Sequence, residues 1–336
     1  MGLRVGVIGT GRLGRQHVRI LNRVPEVDFV GCFDIVPERC HAAAVEFGAR
    51  AYSGMEALLA DVDHVSIVVP TINHAEVALE ALSRGKNVFL EKPIAASVEE
   101  ARSIVDSARR LDRTLQIGHV ERFNEAIATC RPYIDSPSFI EFHRLAPFTI
   151  RGIDVSVVMD LMIHDIDLLM YFLGEMPVEV RAKGAAVITD GPDIVSARLE
   201  FAGGCVANLT TSRVSLEPMR KVRVFSPRRY LSIDLFEGKI KHFQKGESYD
   251  LGVEMLKHNK GKLDDVSLHD FFEIDETVIE GEEPLFNELR SFCRSVTNGT
   301  TPEVTGDDGL NALILASEIQ RIVEADEARA GRKPRR

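Results

Sequence analysis

Along the first third of the chain, short apolar blocks alternate with longer stretches whose apolar residues recur at helical spacing. This pattern predicts strands at 4–8, 27–33, 64–69, 87–90 and 114–118. It predicts helices over 12–23, 37–47, 54–60, 74–84 and 97–110. Ser97-x-x-Glu100 reads as a capping box, and Gly85 sits where the preceding helix should stop. Strand–helix alternation argues for a parallel, doubly wound sheet. After about residue 120 the period shortens. Segments 138–145, 177–187, 194–201, 205–213, 221–226 and 229–235 are brief, often alternating, and bounded by Gly, Pro and Asp. They predict a large antiparallel sheet. Helices are expected at about 155–173, 284–298 and 307–329, whereas 237–282 is polar with few periodic signals. The expected organisation is a first domain over 1–120, a second of α+β type over 121–330 and a basic tail at 331–336. The last helix is placed to pack back on the first domain. One face of the second sheet can be buried on helices, and the other needs cover, for which a second subunit would serve.

Bulk composition narrows the function classes. The chain has 336 residues, 45% hydrophobic and 27% charged, which fits two domains with ordinary cores. A net charge of −10 argues against nucleic acid as a partner, because phosphate binding needs a basic face. No apolar run is long enough to span a membrane, and the N-terminus leads directly into a strand without room for a signal peptide. The five cysteines (Cys32, Cys40, Cys130, Cys205, Cys293) are scattered and lack metal-ligand spacing. They read as reduced thiols of a cytoplasmic protein.

The stretch Arg4-Val-Gly-Val-Ile-Gly-Thr-Gly-Arg-Leu-Gly14 names a ligand. Gly9 permits a tight turn, Gly11 lets the backbone approach a pyrophosphate, and Gly14 lets the next helix pack close to the strand. That helix offers unsatisfied N–H groups and a partial positive charge to phosphates. Arg12 and Leu13 lie at its start. A second strand ends at Asp34, about twenty residues on, where an acid accepts the ribose hydroxyls. A carboxylate there repels a 2′-phosphate, and the nearest cation, Arg39, lies further along, so the expected cofactor is NAD.

Three clusters carry candidate chemistry. Glu91-Lys92-Pro93 closes a strand at the sheet edge where ligands of open parallel sheets bind, which points Lys92 toward the nicotinamide. Pro70, Thr71, Asn73 and His74 close an earlier strand at the same edge. They either touch the cofactor or form a turn and helix cap. Asp160 and His164 are four apart in an otherwise apolar helix and therefore share a face. A carboxylate–imidazole pair in a cleft is the arrangement of an oriented general base, and it is also that of a satisfied structural pair. A metal site from His164, Asp165 and Asp167 is disfavoured, since adjacent helical residues diverge, and none is expected. Gly118-His119-Val-Glu121-Arg122-Phe-Asn124 follows the last strand of the first domain. There His119 is a cofactor candidate and Arg122 and Asn124 are substrate candidates. Arg144 and Arg151 precede the His164 helix and can hold an anionic substrate or form salt bridges.

In this order and spacing, the glycine fingerprint, Glu91-Lys92-Pro93 and Asp160-x-x-x-His164 resemble the Gfo/Idh/MocA oxidoreductases. The resemblance spans nearly the whole chain, including Thr305-Gly306-Asp307-Asp308-Gly309 before the last helix. It implies an NAD-binding Rossmann domain, a C-terminal domain with an open-faced, mainly antiparallel sheet, and catalysis by Lys92, Asp160 and His164. It also implies homodimers or homotetramers made by pairing of that sheet. Within the family, residues 118–124, 160–168 and 211–215 look like the UDP-N-acetylglucosamine 3-dehydrogenase branch. That branch forms a 3-ketone for transamination in routes to amide-linked lipid A or surface polysaccharide. The expected activity is NAD-dependent oxidation of a secondary hydroxyl of a nucleotide sugar. The alternatives are an NAD(P)-dependent dehydrogenase of a free sugar or inositol, and a non-catalytic NAD-sensing regulator.

Overall fold

Five strands form the parallel sheet: β1 (Leu3–Ile8), β2 (Val27–Phe33), β3 (His64–Ile67), β4 (Asn87–Glu91) and β5 (Leu115–Gly118), ordered β2-β1-β3-β4-β5. The computed structural model describes residues 2–149, 155–246, 249, 250, 254 and 272–329. Helices α1 (Arg12–Leu21), α2 (Pro37–Phe47), α3 (Met55–Asp61), α4 (His74–Ser83) and α5 (Val98–Arg110) connect these strands. The chain moves outward from β1 to β2 and returns on the other side of β1 at β3. The strand order therefore reverses between β1 and β3, and a crevice opens beyond their carboxyl ends at such a point. The capping box is present, with Glu100 N–H donating to Ser97 Oγ at 3.2 Å and Ser97 N–H to Glu100 at 3.1 Å.

The chain divides into two compact units: Met1–Phe123 with Glu282–Ser317, and Asn124–Gly281 with Glu318–Arg336. The core of the first joins Val5, Val7, Val18, Ile20 and Phe89 to Leu289 and Phe292 of helix α8 (Pro284–Asn298). Phe89 and Phe292 meet edge to face at 5.9 Å. The terminal helix α9 (Gly306–Arg329) starts in this unit.

The second unit holds an eight-stranded sheet, ordered β13-β12-β11-β10-β6-β9-β8-β7. Its strands are β6 (Phe139–Leu145), β7 (Glu179–Ala185), β8 (Ile194–Glu200), β9 (Val206–Ser212), β10 (Met219–Ser226), β11 (Arg229–Asp234), β12 (Lys239–Lys245) and β13 (Phe272–Val278). Neighbours are antiparallel except β6 and β9, which run parallel. Period-two alternation buries Ile140, Phe142, Val195, Leu199, Leu209, Val222 and Leu231 on one face. Helix α7 (Ile163–Leu173) belongs to the same unit, and its Phe172 stacks on Phe142 at 6.3 Å.

Two strands and one helix lie where no periodic signal was expected. In β12 and β13 the charges are cross-strand partners: Lys241 meets Glu276 at 3.0 Å, and Lys239 pairs with the same carboxylate. Charged side chains suit strands at a sheet edge, and they hide the strand signal in the sequence. The short helix α6 (Glu125–Cys130) opens on Asn124.

Candidate active site

The glycine loop joins β1 to α1, and each glycine answers a different steric demand. Gly9 has φ +93°, and a Cβ there would lie 2.3 Å from the Val68 carbonyl oxygen. A Cβ on Gly14 would lie 1.9 Å from the Gly9 oxygen. Gly11 is different, since a Cβ there would meet nothing within 4 Å. The chain's own packing does not require glycine at that position, and the open space leaves the backbone accessible to a ligand. The helix behind it has no side-chain cap and no acid in its first turn. Its leading N–H groups are suited to a phosphate. Arg12 and Leu13 are exposed there.

Asp34 stands at the end of β2 and is held in place. One carboxylate oxygen accepts the Thr10 N–H at 2.6 Å and the Thr10 hydroxyl at 3.1 Å, and the other accepts the Val36 N–H at 2.8 Å. Each oxygen keeps acceptor capacity for a ribose hydroxyl. Two exposed apolar side chains extend the same edge and had no place among the sequence expectations. Ile35 follows Asp34 and is 86% exposed, and Ile72, beyond β3, is 77% exposed. Their signal is an apolar residue directly past a strand end, in a loop that should be polar.

Pro70 is exposed, and Thr71 and Asn73 form a half-buried 3₁₀ turn beside it. His74 opens α4. It is buried, with one ring nitrogen 2.8 Å from the Pro93 carbonyl and the other 3.0 Å from that of Val69. A neutral imidazole carries one N–H, so His74 donates to one of these two strand-end carbonyls at a time. Burial pushes its pKa down against the opposing pull of those carbonyls. Glu91 also faces inward. Its carboxylate lies 3.1 Å from His17 and accepts the Lys92 N–H at 3.1 Å. Lys92 itself is half-buried at the end of β4, in the same unit as the glycine loop. His119 is buried beyond β5, in that unit too.

Three substrate candidates have structural partners. The Arg122 side chain, 3% exposed, donates to the Glu303 carbonyl at 3.1 Å and meets Asp308 at 3.2 Å. Asn124 caps α6 by accepting the Ala126 N–H at 3.0 Å and donates to the Leu235 carbonyl at 3.2 Å. Arg144 is buried in β6 against Asp165 of α7, with bonds of 3.0 and 2.7 Å to one carboxylate oxygen. A guanidinium buried with its own carboxylate is not offered to a ligand. Arg151 lies outside the described residues.

In the second unit, the helix bearing the carboxylate–imidazole pair begins as a single π-turn over Val158–Met162 and continues as α7. Such turns add a residue to a helix and are frequent at functional sites. Asp165 and Asp167 are buried, whereas Asp160, Leu161 and His164 are only half-buried. Asp160 and His164 are therefore the members of this acidic run that a solute can reach. The Arg213 guanidinium donates to the Val155 carbonyl at the start of the turn.

A family model described as an oxidoreductase family with an NAD-binding Rossmann fold matches residues 3–119, and a GFO/IDH/MocA C-terminal domain model matches 127–230. The chain belongs to the Gfo/Idh/MocA family. A UDP-N-acetylglucosamine 3-dehydrogenase of Acidithiobacillus ferrooxidans is 35% identical, over 96% of this chain and 98% of that one. A solved structure of that Acidithiobacillus enzyme superposes with a TM-score of 0.86, at 34% identity, covering 97% of this chain and 99% of the other. An inositol 2-dehydrogenase of Rhizobium meliloti is 28% identical over 96% of this chain and 97% of its own length. Levoglucosan dehydrogenase, solved with NADH and levoglucosan, shares the fold at 18% identity, 97% coverage of this chain, 98% of its own and a TM-score of 0.81. As a Gfo/Idh/MocA member the protein is an NAD-binding oxidoreductase, and the glycine loop and Asp34 fit that cofactor. Among the described residues, no helix is long and apolar enough to cross a membrane.

Proposed function

We propose that the protein oxidises a secondary hydroxyl of a nucleotide sugar to a ketone, and that this is the 3-hydroxyl of UDP-N-acetylglucosamine. The observation that carries the reading is near-full-length similarity, at 35% identity, to an enzyme named for that reaction. The half-buried Asp160 and His164 and the strand-end Lys92 support it. NAD, when bound, would supply the acceptor for the hydride of the carbinol carbon. His164 removes the hydroxyl proton. Asp160 orients the imidazole and stabilises its charged form. Lys92 hydrogen-bonds the substrate oxygen and steadies the developing ketone. The product ketone suits a following transamination, on a cytoplasmic route to amide-linked lipid A or a surface polysaccharide.

Absorbance of NADH tests this. UDP-N-acetylglucosamine should reduce NAD, and free N-acetylglucosamine and myo-inositol should not. The inositol dehydrogenase relatives favour a second reading, and turnover confined to inositol or free sugars would establish it in place of the first. Binding of NAD with no reduction across the panel would leave a cofactor-sensing regulator. Lys92→Met and His164→Asn should each lower kcat by at least about 10²-fold while NAD still binds. Undiminished turnover in both would remove the catalytic assignment.

A further inference from the structure

Ser66, His17 and Glu91 meet in the core of the first unit and are aligned as a chain. Ser66 Oγ lies 2.8 Å from His17 Nδ1, and His17 Nε2 lies 3.1 Å from Glu91 Oε1. Glu91 Oε2 accepts the backbone N–H of Lys92 at 3.1 Å. The order Ser–His–Glu is that of a nucleophile, base and orienting acid. It serves no such chemistry here, because Ser66 is 1% exposed and His17 0%, and no substrate reaches them.

The proton arrangement follows from the donors. An ionised carboxylate only accepts, so the hydrogen of a neutral imidazole sits on Nε2 facing Glu91. Nδ1 is then an acceptor, and the Ser66 hydroxyl donates to it. Every group is satisfied by this one arrangement. The surroundings hold it in place. A Cβ on Gly118 would lie 2.9 Å from Glu91 Oε2, so glycine at the end of β5 leaves room for the carboxylate. The His17 and Phe89 rings meet edge to face at 5.6 Å. Helix α1 and strands β3, β4 and β5 all contribute to this one buried point.

We propose that Ser66–His17–Glu91 is a positioning device that ties the backbone at Lys92 to the helix whose leading N–H groups would hold the cofactor phosphates. The inference rests on the proposed role of Lys92 at the substrate hydroxyl. A lysine ammonium is a point charge on a flexible four-carbon stem, and its place is set by where its backbone is held. A displacement of about 1 Å at a reacting group can cost about 10²-fold in rate.

A double-mutant cycle on the full-length enzyme tests it. Glu91→Ala should lower kcat by about tenfold or more and leave the KM for NAD within about twofold, since it misplaces Lys92 and not the glycine loop. In a Lys92→Met background the same change should cost nothing further. Glu91→Gln should restore most of the lost turnover. Its amide oxygen accepts from Lys92 N–H, its amide nitrogen donates to His17 Nε2, and the imidazole donates from Nδ1 to Ser66 in the other tautomer. If Glu91→Ala does not fold, Glu91→Asp is one methylene shorter and should show the same loss and the same dependence on Lys92. Additive losses in the double variant, or a Glu91→Gln enzyme as slow as Glu91→Ala, would overturn the inference alone. Unimpaired turnover in Lys92→Met would defeat the Lys92 role, and this inference with it.

Discussion

Single residues divide by whether the chain or a ligand demands them. Gly9 and Gly14 are fixed by contacts with Val68 and with Gly9 itself, whereas Gly11 borders open space. Gly9→Ala should therefore destabilise the fold, by at least about 1–3 kcal/mol from backbone strain. Gly11→Ala should leave the melting temperature unchanged and weaken NAD binding by about tenfold, equivalent to about 1.4 kcal/mol. Thermal melts with an NAD titration separate the two. Equal loss of stability in both variants would contradict the ligand-based account of Gly11. The sequence spacing points to all three glycines and Asp34, because a phosphate-binding turn is local. It did not show the structural partners of Arg122 and Arg144, because Asp308 and Asp165 lie far along the chain. His17 went unnoticed for the same reason: its bonds go to Ser66 and Glu91 on two other elements.

Elements carry their own anchors. The β7–β8 connection wraps around Asp193, which is buried and accepts the N–H groups of Val187, Ile188 and Thr189 at 2.8, 2.6 and 2.9 Å. The Thr189 hydroxyl adds a fourth bond at 2.7 Å. Burial works to raise this carboxyl's pKa, and the donated bonds more than offset it, so it lies below the ordinary value. A depressed folded pKa gives stability that is present above the unfolded value, about 3.9, and is lost as the pH falls through the folded value. Asp193→Asn should melt below wild type at neutral pH, and the gap should narrow as the pH drops under about 4. A gap independent of pH would show that the charge is not what the loop uses. The helix at Asp160 shows a different limit of sequence reading. Its existence and apolar faces were legible, but the π-turn was not, because one inserted residue leaves no mark on composition.

At the scale of the whole molecule, the eight-stranded sheet carries a row of aromatic side chains across four of its strands. Phe139, Phe225, Tyr230 and Phe243 are matched across β6, β10, β11 and β12. Successive rings lie 5.8, 4.8 and 5.7 Å apart, and Phe225 is 36% exposed. A row of aromatics on an accessible face suits burial against another protein surface. We propose that a second copy of the chain covers it, in a homodimer or homotetramer. Sedimentation should show the wild type above monomer mass and Phe225→Arg shifted toward monomer. A monomeric wild type would refute the pairing.

By itself, the sequence determined the alternation that builds the parallel sheet, the glycine turn and acid that suit NAD, and the period-two run that builds the second sheet. All of these depend on residues close together along the chain, where spacing fixes geometry. Only the tertiary structure decided which polar side chains remain open to a solute and which are committed to partners. Arg144 and Asp165, Arg122 and Asp308, and His17 with Ser66 and Glu91 are each joined across distant segments. A buried charge or imidazole needs such a partner, and the folding of the chain selects which residue supplies it.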